Sequence, residues 1–94
     1  MDDMNAIAAM SALAQPTRLA VFRLLAEAGD AGLSSGEIAR KLGLPINNLT
    51  SHLAILSRAS LIESVKTGRV VTSRARRQAI DELVRFLKND CRLS

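Results

Sequence analysis

From Pro45 to Arg58 the chain reads Pro-Ile-Asn-Asn-Leu-Thr-Ser-His-Leu-Ala-Ile-Leu-Ser-Arg. At about 100° of rotation per helical residue, Leu49, Leu53 and Leu56 fall within one narrow arc. Asn47, Ser51, Ala54 and Arg58 fall on the opposite side, with Thr50 on the shoulder. That outer face is small and polar and carries no carboxylate. A helix that is only surface usually carries Glu and Lys there. A helix that enters a nucleic-acid groove gains from Asn, Thr, Ser and Arg, which pair with base edges and phosphate oxygens, and loses by bringing acids. His52 borders the apolar arc, which leaves it two roles: a phosphate contact, or a packed, hydrogen-bonded side chain.

The charge distribution points the same way. The chain has 94 residues and a formal net charge of +4. Residues 31–77 hold eight Lys and Arg against Glu37 and Glu63 alone, whereas the acids balance or outnumber the bases on either side. A basic segment of this kind is the footprint of a polyanion-binding surface, or else a solvated basic face. Phe22 and Phe86 are the only aromatic residues, so there is no platform for stacking single-stranded bases. Catalysis finds no support: there is one histidine, no nucleophile–base arrangement and no glycine-rich phosphate loop. Cys91 is the sole cysteine, which rules out an intrachain disulfide. With an acidic start, Met1-Asp2-Asp3, and no apolar run near the roughly 18 residues that span a bilayer, a cytoplasmic chain that does not engage a membrane is expected.

The elements that hold these groups follow from periodicity and punctuation. Met4, Ile7, Met10 and Leu13 recur every third residue and predict a first helix with one apolar stripe. Pro16 starts a second helix, apolar over a wide arc through Leu19, Val21, Phe22, Leu24 and Leu25, that ends at Gly29. Arg18 on this helix is expected to pair with a carboxylate. Ser34 followed by Glu37 is a capping box opening a short helix that Gly43 terminates, and Pro45 begins the helix with the polar face. The β-branched runs Leu61–Val65 and Val70–Ser73, separated by Lys66-Thr67-Gly68-Arg69, predict a two-stranded ribbon with a basic tip. A last helix from about Arg77 to Asp90 has Ile80, Leu83, Val84 and Leu87 on one stripe and Phe86 off it. Two apolar faces on one helix need two surfaces to cover them, and a chain of this size supplies one. The expected fold is one mainly α domain over residues 1–94, with four helices, a small β-hairpin and a fifth helix: a winged helix-turn-helix.

Three blocks resemble the ArsR/SmtB winged-helix repressors. They are Ala12-Leu13-Ala14-Gln15-Pro16-Thr17-Arg18-Leu19, Glu37-Ile38-Ala39-Arg40-Lys41-Leu42-Gly43-Leu44 and Asn48-Leu49-Thr50-Ser51-His52-Leu53-Ala54-Ile55-Leu56. The resemblance implies a dimeric, sequence-specific regulator that binds a palindromic double-stranded operator and packs through its first and last helices. Carried onto this chain it implies DNA contacts from Ile46, Asn47, Thr50 and Ser51. With the residue-level reading, the expected DNA-binding set is Ile46, Asn47, Thr50, Ser51, His52, Arg58, Lys66 and Arg69. The expected dimer interface is Met4, Ile7, Met10, Leu83, Phe86 and Leu87. The family's metal patterns fail here. Ser34 and Gly36 stand where paired cysteines would be, Asp81 has no histidine partner on its helix, and Arg92 follows Cys91 where a second thiol would be needed. No cofactor or metal is expected, and Cys91 is left as a minor thiol site. The alternative function is a winged-helix module that binds protein and not DNA.

Overall fold

The computed structural model describes residues 1–92. Helix α1 (Asp3–Leu13) is opened by Asp2, whose carboxylate accepts from the Asn5 N–H at 2.8 Å. Its buried face is not the methionine stripe. Ala6, Ala9 and Ala12 turn inward, while Met4, Ile7 and Met10 are 81%, 62% and 39% exposed. The three-residue spacing is common to both stripes. The alanines win the inner face because a helix without long side chains can lie close against its neighbours.

Helix α2 (Pro16–Ala28) starts on the Gln15 side chain, which accepts from the Arg18 N–H, and buries Val21 and Leu25 completely. It stops at Gly29, and a short 3-10 turn (Gly29–Ala31) leads to Gly32 at φ 66°, ψ −169°. Only glycine adopts that backbone conformation without strain. Strand β1 (Leu33–Ser34) and helix α3 (Ser35–Leu42) follow. The capping box is formed at both ends: the Ser34 N–H donates to Glu37 Oε1 at 2.9 Å, and the Glu37 N–H donates to Ser34 Oγ at 3.1 Å.

Helix α4 (Ile46–Arg58) begins one residue after Pro45, which takes the capping position and not the first helical one. Leu49, Leu53 and Leu56 are buried, as their arc requires. Strands β2 (Ile62–Thr67) and β3 (Val70–Ala75) form the hairpin in the register Thr67↔Val70 through Ile62↔Ala75. Gly68 takes φ 63° at its tip, the first central position of a two-residue turn whose twist suits paired strands. Helix α5 (Arg77–Arg85) is shorter than the sequence suggests, and its last turn widens to a π-helical one over Phe86–Asp90.

The predicted ribbon is part of a three-stranded antiparallel sheet, in the order β1-β3-β2. Leu33 pairs with Ser73 and Ser34 with Thr72. Two residues are too few to show a period, so nothing in the sequence marks β1. The added strand ties the start of α3 to the base of the hairpin, and so fixes the wing relative to the helix-turn-helix. Ser73 is fully buried there, and its hydroxyl is satisfied by Ser64 Oγ, 2.8 Å away across the ladder. The core shared by all layers is Val21, Leu25, Ile38, Leu49, Leu56, Leu61 and Ile62.

The capping box sets one stability prediction. Ser34→Ala removes the acceptor for the Glu37 N–H and should lower unfolding stability by about 1 kcal/mol in urea titration. The Ser34 backbone N–H, followed by the Ser34 side chain and by Arg40 and Lys41, holds the Glu37 carboxyl below the usual carboxylate range. A lowered folded value means the carboxylate stabilises above its unfolded range and loses this effect as pH falls through the folded value. The stability gap between wild type and Glu37→Ala should therefore narrow in acid.

Candidate nucleic-acid interface

Helices α3 and α4 meet at the turn Gly43-Leu44-Pro45. Gly43 is left-handed at φ 66°, ψ 36°, and the Leu44 N–H closes on the Ala39 carbonyl at 3.0 Å. This Gly-capped turn angles α4 so that its leucines enter the core and its other side faces solvent. Asn47, Thr50, Ser51, Ala54 and Arg58 are all exposed, and Ile46 is half exposed at the first turn. The Thr50 hydroxyl donates to the Ile46 carbonyl at 3.3 Å, which spends its hydrogen and leaves its oxygen to accept. No side chain caps the N-terminus of α4. The Asn48 N–H turns back to the Pro45 carbonyl at 3.1 Å, so the Ile46 and Asn47 N–H groups are the ones left directed at whatever approaches that end.

The wing stands beside that end. Ile46 and Thr50 share an open groove of about 430 Å³ with Arg69 and Val70, and Ser35 and Gly36 complete it from α3. Arg74 is paired across the ladder with Glu63. Lys66 and Arg69 are exposed and have no carboxylate partner among the described residues. The groove thus brings together three of the expected residues, Ile46 and Thr50 on the helix and Arg69 on the wing, while Asn47 and Ser51 are exposed on the same helix and Lys66 on β2.

Two expected contacts lie elsewhere. Arg58 is on the outward side of α4 but at its far end, about 18 Å along the axis from Ile46. There it borders Ala8 and Ser11 of α1. His52 is half-buried, and its Nδ1 lies 3.4 Å from an Arg18 guanidinium nitrogen. Arg18 corrects the sequence expectation: its Nε donates to the Ala12 carbonyl at 2.7 Å, and no carboxylate among the described residues is its partner. The carbonyl is one of those left over at the end of α1, and it supplies the acceptor that a carboxylate would otherwise provide. An arginine among the apolar positions of a helix signals that some acceptor is near, but sequence alone does not say which.

The expected interface residues divide as well. Met4, Ile7, Met10 and Leu87 are exposed, and Val84 joins them at 45%. Leu83 is buried inside the subunit and Phe86 is half-buried against the same core. They cover the inner face of the last helix with Ala79, so the outer face is Val84 and Leu87. Cys91 is exposed just after the π turn. No three His, Cys, Asp or Glu side chains gather to suit a metal ion among the described residues. No helix among the described residues is long and apolar enough to cross a membrane.

The arrangement has clear relatives. The profile of the family described as helix-turn-helix domain matches residues 13–65, which run from the end of α1 into the wing. An ArsR-like transcriptional regulator from Rhodococcus sp. RHA1 is 27% identical, superposes with a TM-score of 0.82, and the match covers 95% of this chain and 81% of that one. HlyU from Vibrio cholerae is 26% identical over 97% of this chain and 99% of its own, with a TM-score of 0.72. The solution structure of a homodimeric winged helix-turn-helix DNA-binding domain from Mycobacterium bovis, described as a possible ArsR-family regulator, shares the fold. It has a TM-score of 0.73 at 20% identity, over 98% of this chain and 88% of that one. No curated protein sequence gives a significant match. With the helix-turn-helix profile covering more than half of its length and five helices and a wing in place, the chain belongs to the helix-turn-helix domain family, as a winged member of the ArsR type.

Proposed function

We propose that this DNA-binding transcription regulator works as a homodimeric repressor on a palindromic operator. The observation that carries the reading is the exposed, carboxylate-free face of α4 beside a wing whose Lys66 and Arg69 have no carboxylate partner among the described residues. In this reading Asn47 and Ser51 reach base edges in the major groove, and Thr50 accepts from a base or a backbone-bound water. The uncapped N-terminus of α4 meets a phosphate oxygen, and Lys66 and Arg69 meet the backbone or the minor groove. The exposed Met4, Ile7, Met10, Val84 and Leu87 form the surface that a second copy covers. The homodimer of the Mycobacterium bovis domain supports this assembly.

Selection of bound duplexes from a random library, followed by base-protection mapping, tests the proposal. The expected product is an inverted repeat whose half-site centres lie about one helical turn apart. Recovery of no preferred sequence would count against operator recognition. Asn47→Ala and Ser51→Ala should relax base preference. Arg69→Ala should weaken all duplexes alike and lower the slope of log K against log salt by about 1. An unchanged affinity and slope would remove the wing from the interface.

No metal or cofactor is part of this proposal. A metal sensor presents several soft or imidazole ligands in fixed geometry, and the chain offers one cysteine and one histidine. Stoichiometric zinc, cadmium or nickel should leave operator affinity unchanged. Release by arsenite or a mild oxidant that disappears in Cys91→Ser would instead assign a sensing role to Cys91.

A further inference from the structure

We infer that Arg18 is a positioning residue for DNA contact: it fixes the tautomer of His52 so that the ring presents an Nε2–H donor to a phosphate oxygen. The inference rests on the DNA-binding reading above and adds a contact to it. Arg18 touches three helices. Its backbone N–H is held by Gln15 Oε1 at the start of α2, its Nε donates to the Ala12 carbonyl at the end of α1, and a terminal nitrogen lies 3.4 Å from His52 Nδ1 on α4. A guanidinium has no acceptor, so in this pair Nδ1 must accept and the proton of the neutral ring sits on Nε2. Nε2 makes no hydrogen bond among the described residues, and no unpartnered polar side-chain atom is buried. Nε2 is therefore not sealed inside the core.

Its place on α4 gives it a use. Taking the Asn47–Ser51 side as the centre of the outward face, Ile46 and Thr50 lie toward the wing. His52 lies about 120° round the helix on the other shoulder. A helix seated in a major groove has a phosphate strand on each side. The wing serves one of them, and His52 is the side chain on the other shoulder with a free donor held in fixed orientation. The fork that orients it is anchored in α1, so the donor is set by the same helix whose outer stripe is exposed for a second subunit.

A duplex recovered by the selection above, synthesised with single neutral methylphosphonates at successive positions, tests the contact. At one position per half-site, neutralisation should weaken wild type about 3- to 10-fold and leave His52→Ala no weaker than before. His52→Gln, whose amide N–H can reach the Nε2 position, should keep the sensitivity, and His52→Asn should lose it. Long-range 1H–15N spectra of the imidazole should show the Nε2–H tautomer in wild type. Arg18→Lys keeps the charge but not the fork, and should show both tautomers and a reduced sensitivity. Wild-type protein that binds the duplex but shows an Nδ1–H tautomer, or no phosphate that distinguishes it from His52→Ala, would overturn the inference. Failure of wild type to bind any duplex would instead overturn the DNA-binding reading itself.

Discussion

Ile7→Asp should leave each subunit folded and abolish the dimer. Ile7 is 62% exposed on the outer stripe of α1, between Met4 and Met10, so an aspartate there meets water in the free subunit. In a two-fold assembly the same substitution places two carboxylates in one apolar contact. Burying each without a partner costs several kcal/mol, and their mutual repulsion adds to that. Sedimentation at micromolar concentration should change from about 20 kDa, two chains of 10.1 kDa, to the mass of one chain, with helical circular dichroism retained. Operator affinity should fall by orders of magnitude, because the two half-sites are then bound separately. Leu83→Asp makes the contrast. Leu83 is 7% exposed within the subunit, so its carboxylate is buried whether or not a partner is present, and this variant should unfold. A dimer that survives Ile7→Asp would place the interface elsewhere.

Gly32→Ala should destabilise the fold more than any other single methyl group added to a glycine. A Cβ at Gly32 would lie 2.3 Å from the Ser73 carbonyl oxygen, a backbone atom in the middle of β3 that cannot turn aside. The position also has φ 66° and ψ −169°, a conformation that costs a residue with a side chain about 1–3 kcal/mol before any contact is counted. Relief of the clash requires β1 to part from β3, which frees the start of α3 from the wing. The expected loss is at least about 3 kcal/mol, a large part of the roughly 5–15 kcal/mol that holds a domain together. Thermal unfolding should fall by more than about 12 °C. Gly68→Ala is the control: φ is 63° there too, but nothing lies within 4 Å of the added atom, so its cost is backbone strain alone.

Much of this architecture is legible in the residues because several independent signals agree. Pro16, the Ser34–Glu37 box, Gly43 and the leucine arc of α4 each fix a boundary or a face through local physics, and each appears as expected. Strand β1 does not show, since two residues that pair with a distant strand carry no period of their own. The choice between the methionine and alanine stripes of α1 is equally hidden. Both have helical spacing, and how closely α1 packs on its neighbours decides which is inner. At the candidate site, the outward residues of α4 and the wing tip can be read from spacing. The Arg18–His52 contact cannot, because it joins residues 34 apart that only the tertiary fold brings together.

Duplex DNA is the partner expected to meet the face of α4 and the wing. Fluorescence anisotropy of a labelled random duplex, titrated with the protein at low and at moderate salt, tests it most directly. Binding at low salt should weaken steeply as salt rises, because each phosphate contact releases condensed counterions. Absence of binding at low salt, or an affinity indifferent to salt, would contradict it and favour a winged-helix module whose partner is a protein.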